Sequence, residues 1–185
     1  MNNVTVKTYS LSAVNMQDVL RYAGCKSRDE NVETQILQCA NEIKDVLSPR
    51  VCFTYLPAQT IRDTFPKSKL VELRLKDCEQ AVVFVATVGL EIDRLILKNQ
   101  TLSPTKALLL QALGAERIEN LCDSFCAELQ NVTYRFSPGY GDFPLQAQEW
   151  IFQTLNATKR IGVTLNTGLL MTPTKSVSAI VPIKG

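Results

Sequence analysis

The sequence predicts a mixed α+β fold, and three observations carry that reading. Strand-period and helix-period stretches are mixed along the chain without the strict alternation of a doubly wound sheet. Residues 81–88 are almost continuously apolar and rich in β-branched side chains, the pattern of a central strand. A long helical stripe of Leu110, Leu113, Ile118, Leu121, Phe125 and Leu129 comes soon after.

The elements follow in order. Residues 3–8 alternate around Val4 and Val6 and predict a short strand. Residues 16–23 predict a short helix ended by Gly24. Residues 30–47 predict a longer one, with Val32, Ile36, Ala40, Ile43 and Leu47 at helical spacing and Ser48-Pro49 as its stop. Residues 51–56 read as a strand. Residues 70–75 read as another, half-buried, because Val71, Leu73 and Leu75 alternate with Glu72 and Arg74.

After the central strand at 81–88, residues 89–97 turn helical. Ser103-Pro104 starts the long helix with a capping serine and a proline at the first helical position, and that helix runs to about residue 130. Residues 131–136 predict a strand that feeds a Pro- and Gly-rich loop. Asp142 is placed to cap the next helix, with Pro144 in its first turn, continuing to about residue 155. Residues 161–165 and 176–183 predict the closing strands.

The chain has 185 residues, enough for one domain over 1–185, and 45% of them are apolar, enough for a core. Lys and Arg number 20 against 18 Asp and Glu, too even a balance to point to nucleic acid. The N-terminus has neither the basic nor the apolar region of a signal peptide, and the longest apolar run, 81–90, is too short to span a bilayer. The expectation is a soluble, cytoplasmic protein without a membrane partner.

Six cysteines stand without a C-x-x-C pair, so neither a disulfide framework nor a zinc site is expected. Cys122 and Cys126 share a helix face and read as buried small hydrophobes rather than a metal pair. There is no histidine at all, which removes the commonest general base and the commonest metal ligand. Ser-His and Cys-His nucleophiles are excluded with it. No catalytic residue is assigned.

The stretch RFSPGYGDFPL, residues 135–145, carries the chemistry. Arg135 offers a planar fork for a carboxylate or phosphate. Pro138 and Gly139 break regular structure, and Gly139 and Gly141 let the backbone approach a ligand. Tyr140 offers a flat face for a base or a cation, and Asp142 opens a helix whose first N–H groups point outward. Such a loop suits a small molecule with a carboxylate at one end and an aromatic base at the other. A tight strand-to-helix turn with a surface arginine accounts for the same residues when they are taken alone.

A second stretch at short range, IGVTLNTGLLMTPTKSVSAIV, changes the weighting. Together the two resemble the activation domain of cobalamin-dependent methionine synthase. That family carries R-x-x-P-G-Y, then a helix, then a stretch matched here by Gly162, Leu165, Met171, Pro173, Ser176, Val177 and Ser178. The helix ALLLQALGAERIENLCDSFCAEL resembles the one preceding the loop. The resemblance covers roughly residues 81–181; residues 1–50, helical in their own right, do not contribute to it.

The resemblance implies a C-shaped domain built on a mainly antiparallel sheet flanked by helices, with the 81–88, 132–136 and 176–183 strands in one sheet. It implies binding of S-adenosylmethionine, whose methyl group restores a cobalamin that has lapsed to cob(II)alamin, with an electron from a flavodoxin- or ferredoxin-like donor. Arg135 would pair with the ligand carboxylate; Pro138, Gly139, Tyr140, Gly141 and Asp142 would border its nucleoside. Cobalamin would come only through a partner chain in trans, because this chain has no histidine to offer cobalt. The chain would then be a component of a methyltransferase system rather than a self-sufficient enzyme. The family's longer members place a further tyrosine near the ligand after the Ser-Val-Ser stretch, and no counterpart is found here. Asn166-Thr167-Gly168 also departs from the family pattern, and no N-terminal acidic ligand for the amino group is identifiable. A docking module for a corrinoid protein, or for another corrinoid methyltransferase system, is the alternative.

Overall fold

The computed structural model describes residues 3–185; the first two residues of the expected 1–185 span lie outside it. Its main sheet has four strands in the order β1-β2-β3-β6: β1 (Thr5–Thr8), β2 (Arg50–Pro57), β3 (Cys78–Thr87) and β6 (Ser176–Lys184). Every pairing is antiparallel, with Phe53 opposite Phe84 and Phe84 opposite Ala179. The antiparallel sheet expected from the resemblance is therefore present for two of its three expected strands, those of residues 81–88 and 176–183, which pair as β3 and β6.

Helices cover both faces. Val82, Phe84 and Ala86 point to one side, where α1 (Met16–Tyr22), α2 (Glu30–Ile43), α5 (Glu91–Leu102) and α6 (Pro104–Ala127) pack. Ala81, Val83 and Val85 point to the other, against α3 (Ala58–Thr64), α4 (Lys69–Leu75), α7 (Ala147–Leu155) and α8 (Ala157–Ile161). A strand buried on both faces needs apolar residues at every position, which is why β3 reads as a continuous apolar run. None of the described helices is long and apolar enough to cross a membrane.

The largest correction is at residues 70–75, which form α4 and not a strand. The positions that suggested alternation contain an i, i+4 pair: Val71 and Leu75 are buried, while Leu73 is 63% exposed. Ser68 settles the choice, because its hydroxyl accepts the Val71 N–H at 3.2 Å and caps the helix. Three smaller differences have equally local causes. The second helix ends at Ile43, and its tail winds on as turns that donate back to the Ile43 carbonyl. Ser103 stands at the α6 N-cap without a side-chain hydrogen bond, and α6 ends at Ala127 rather than near residue 130. Ile161 closes α8, Gly162 turns the chain at φ +73, and only Thr164–Leu165 (β4) is strand. That short strand pairs with β5 (Met171–Thr172).

Residues 131–136 run along the free edge of β6 without becoming a strand. Only Val132 and Phe136 form isolated bridges, to Ile183 and Ile180. The cause is on the partner strand. Ile180 N donates to Phe136 O and Lys184 N donates to Asn131 O, so the donor between them on that edge would be residue 182. That residue is Pro182, which has no N–H to give. The segment therefore lifts off the sheet at Tyr134 and Arg135, and Tyr134 is 86% exposed.

Candidate functional site

The loop after Phe136 is pinned from beneath by aromatic packing. Phe136 and Phe143 are buried with ring centroids 5.6 Å apart, and Phe65 meets Phe143 edge-on at 5.1 Å. Between these anchors the backbone closes on itself. Gly139 N donates to Phe143 O at 2.8 Å, and Phe143 N donates to Tyr140 O at 2.9 Å. Gly139 holds φ +90, a conformation that disfavours any side chain. The Gly139 N–H, expected to face a ligand, is thus engaged within the loop, as is Tyr140 N, which points at Ser137 O at 3.3 Å. What the loop does offer outward is the ring of Tyr140, which is 67% exposed.

Asp142 does not cap α7, whose N-cap position is Gln146. Its carboxylate instead reaches the start of α4. It accepts Lys69 N at 2.7 Å, Leu70 N at 2.9 Å and Ser68 Oγ at 2.9 Å. The backbone donors of Leu70 and Lys69 hold its pKa below the usual carboxylate range. Asp142 thereby ties the loop to α4.

Arg135 faces two carboxylates of α6. Its guanidinium donates to Asp123 Oδ1 at 2.5 Å and to Glu119 Oε2 at 2.6 Å. Burial works against its charge, but the Asp123 hydrogen bond and the two carboxylates outweigh it and raise its pKa further. Glu119 and Asp123 are one helical turn apart, and their side chains stay 45% and 71% exposed. Sequence reasoning missed both. The signal was there: an acidic i, i+4 pair opposite the apolar stripe of the helix that leads into the loop.

These parts line one open groove of about 1360 Å³. Arg135, Pro138, Tyr140 and Gly141 border it, as do Met171, Ser176, Val177 and Ser178 from the second stretch, so the fold brings both sequence motifs to one surface. Glu119, Asp123 and Gln148 complete the wall. Gly139 and Asp142 are not among the groove-lining residues; they hold the loop from behind. Gly162, Leu165 and Pro173 also lie outside the lining. Chemically, the groove presents one guanidinium between two carboxylates, an exposed phenol ring and an apolar floor, a set suited to a zwitterion attached to an aromatic group.

No family model matches the chain, and no curated protein matches it. Among solved structures it is similar to the crystal structure of the MetH reactivation domain bound to AdoHcy. The match has a TM-score of 0.71 and 16% sequence identity over 99% of this chain and 79% of that one. The fold is that of this reactivation domain.

Proposed function

We propose that this chain binds S-adenosylmethionine and serves as the reactivation component of a cobalamin-dependent methionine synthase whose cobalamin-carrying part is a separate chain. One observation carries the reading: the R-x-x-P-G-Y and Met-x-Pro-x-x-Ser-Val-Ser stretches, separated by a helical segment, border the same groove. The fold likeness to a domain bound to AdoHcy, the demethylated product of that donor, supports it.

The residues fit the ligand's charges. The Arg135 fork takes the α-carboxylate, and Glu119 and Asp123, already beside it, take the ammonium and sulfonium cations. The Tyr140 ring gives the base a face. The methyl acceptor is a reduced corrinoid cobalt on the partner, with the electron supplied by a flavodoxin- or ferredoxin-like donor. Methyl transfer from a sulfonium asks the protein for no base, only for position and exclusion of water. A chain without histidine meets that requirement.

The second reading is a docking module that does not bind the methyl donor. The observation that favours it is that Arg135 is already paired with two carboxylates of its own chain. Calorimetric titration of the chain with S-adenosylmethionine separates the two, alone and with a cobalamin-binding partner. Saturable binding in either arm supports the first reading. Silence in both arms, with the corrinoid chain still bound, replaces it with the second.

A further inference from the structure

Gln148 is an unusual residue to find in the groove wall. It lies in the first turns of α7, on the face that carries Ala147 and Ile151 into the core, and it is only 5% exposed. Its Oε1 is buried and has no hydrogen-bond partner. A buried amide oxygen left unpaired is destabilising, and an apolar residue of similar shape would avoid that penalty. Gln148 nevertheless borders the same groove as Arg135 and Tyr140.

We infer that Gln148 is a specificity-determining residue that reads the edge of the ligand's adenine; this rests on the S-adenosyl reading of the groove. A carboxamide pairs one acceptor with one donor on a planar group, and a half-turn about its last bond exchanges them. Adenine has the complementary set, an exocyclic amine that donates beside a ring nitrogen that accepts. On the N7 edge, where adenine offers its amine beside N7, hypoxanthine presents two acceptors, its carbonyl and N7, so the amide cannot make both bonds to it. Tyr140 would supply the face of the base and Gln148 its edge, while Arg135 holds the amino-acid end. No covalent step is involved.

The test is a titration of the full chain with S-adenosylhomocysteine and with S-inosylhomocysteine, for wild type and Gln148→Leu. Wild type should prefer the adenine compound by about 5- to 150-fold, the range for a bidentate amide–adenine pair. In Gln148→Leu the preference should collapse to within about threefold, with the melting temperature unchanged or higher, because an orphan acceptor has been removed from the interior. A purely structural Gln148 gives the reverse, a lower melting temperature with the preference intact. If the leucine variant does not fold, Gln148→Met, unbranched and of similar length, takes its place. Equal binding of both compounds by wild type, or a preserved preference in the variant, overturns the assignment alone. Failure of wild type to bind either compound, both alone and with the cobalamin-binding partner present, overturns the S-adenosyl reading and this assignment with it.

Discussion

Asp142 Oδ2 accepts the backbone N–H of Lys69 at 2.7 Å, across 73 residues of chain. One side chain therefore closes the loop bearing Tyr140 and caps α4 at the same time, with Leu70 N and Ser68 Oγ as its other donors. A loop short of regular structure is held by a helix terminus, and the helix terminus gains the anion it lacks.

Asp142→Ala should lower the melting temperature at neutral pH and increase amide exchange in residues 137–143, and Asp142→Asn should recover part of the loss. The pH dependence has a definite sign. The folded-state pKa is depressed by the Leu70 and Lys69 donors, so the ionised carboxylate favours the folded chain. That contribution is complete above the unfolded value of about 3.9 and is lost as the pH falls through the lower folded value. The gap in melting temperature between wild type and Asp142→Ala should thus close as the pH falls below the unfolded value of about 3.9. A gap that stays constant would show that the carboxylate's charge plays no part.

The same residue shows what the sequence could and could not disclose. Asp142 was recognisable as a cap because it precedes a proline-started turn, but a linear pattern favours the nearest helix, and the one it caps is distant in sequence. The central strand and the long helix were legible because each buries a periodic apolar face. Residues 70–75 were misread because Val71 and Leu75 satisfy both periods, and the deciding capping serine lay just outside the window. Residues 131–136 looked like a strand on their own chemistry, and the obstacle, Pro182, sits on the partner. At the site, Arg135 and Tyr140 stood out by type and spacing. Gln148 carried no such mark, since its meaning lies in being buried without a partner.

On the far side of the sheet from the loop, Glu116 and Arg117 form an ion pair with side chains 3% and 5% exposed. Arg117 also donates to the carbonyls of Ser12 and Ala13 at 2.6 and 3.2 Å, and Glu116 accepts Asn15 N at 3.2 Å. The pair fastens the segment before α1 to α6. Removing one partner leaves the other charge buried, so Arg117→Ala should cost about 3–5 kcal/mol in urea unfolding. The double replacement Glu116→Leu with Arg117→Met should recover part of that. A cost below about 1 kcal/mol for the single change would mean that the pair is as inconsequential as an exposed one.

Arg135 is held between Asp123 and Glu119 before any ligand is considered, and that arrangement sharpens what its removal should do. The ligand's carboxylate must displace one of the two side chains, and the displaced carboxylate stays close enough to meet the ligand's ammonium. Arg135→Ala should therefore weaken binding of S-adenosylhomocysteine by about 1.5–3 kcal/mol, or roughly ten- to over a hundred-fold. It should leave 5′-methylthioadenosine, which lacks the amino-acid tail, within about twofold of wild type. Arg135→Lys should restore only part of the loss, because an ammonium cannot form the two-bond fork. Stability should fall by only about 0–1 kcal/mol, the range for exposed pairs, since both carboxylates remain well exposed to water. Equal losses for both ligands would place Arg135 in the support of the loop rather than at the carboxylate. Unchanged affinity for both would leave it as a structural tie between α6 and the sheet edge.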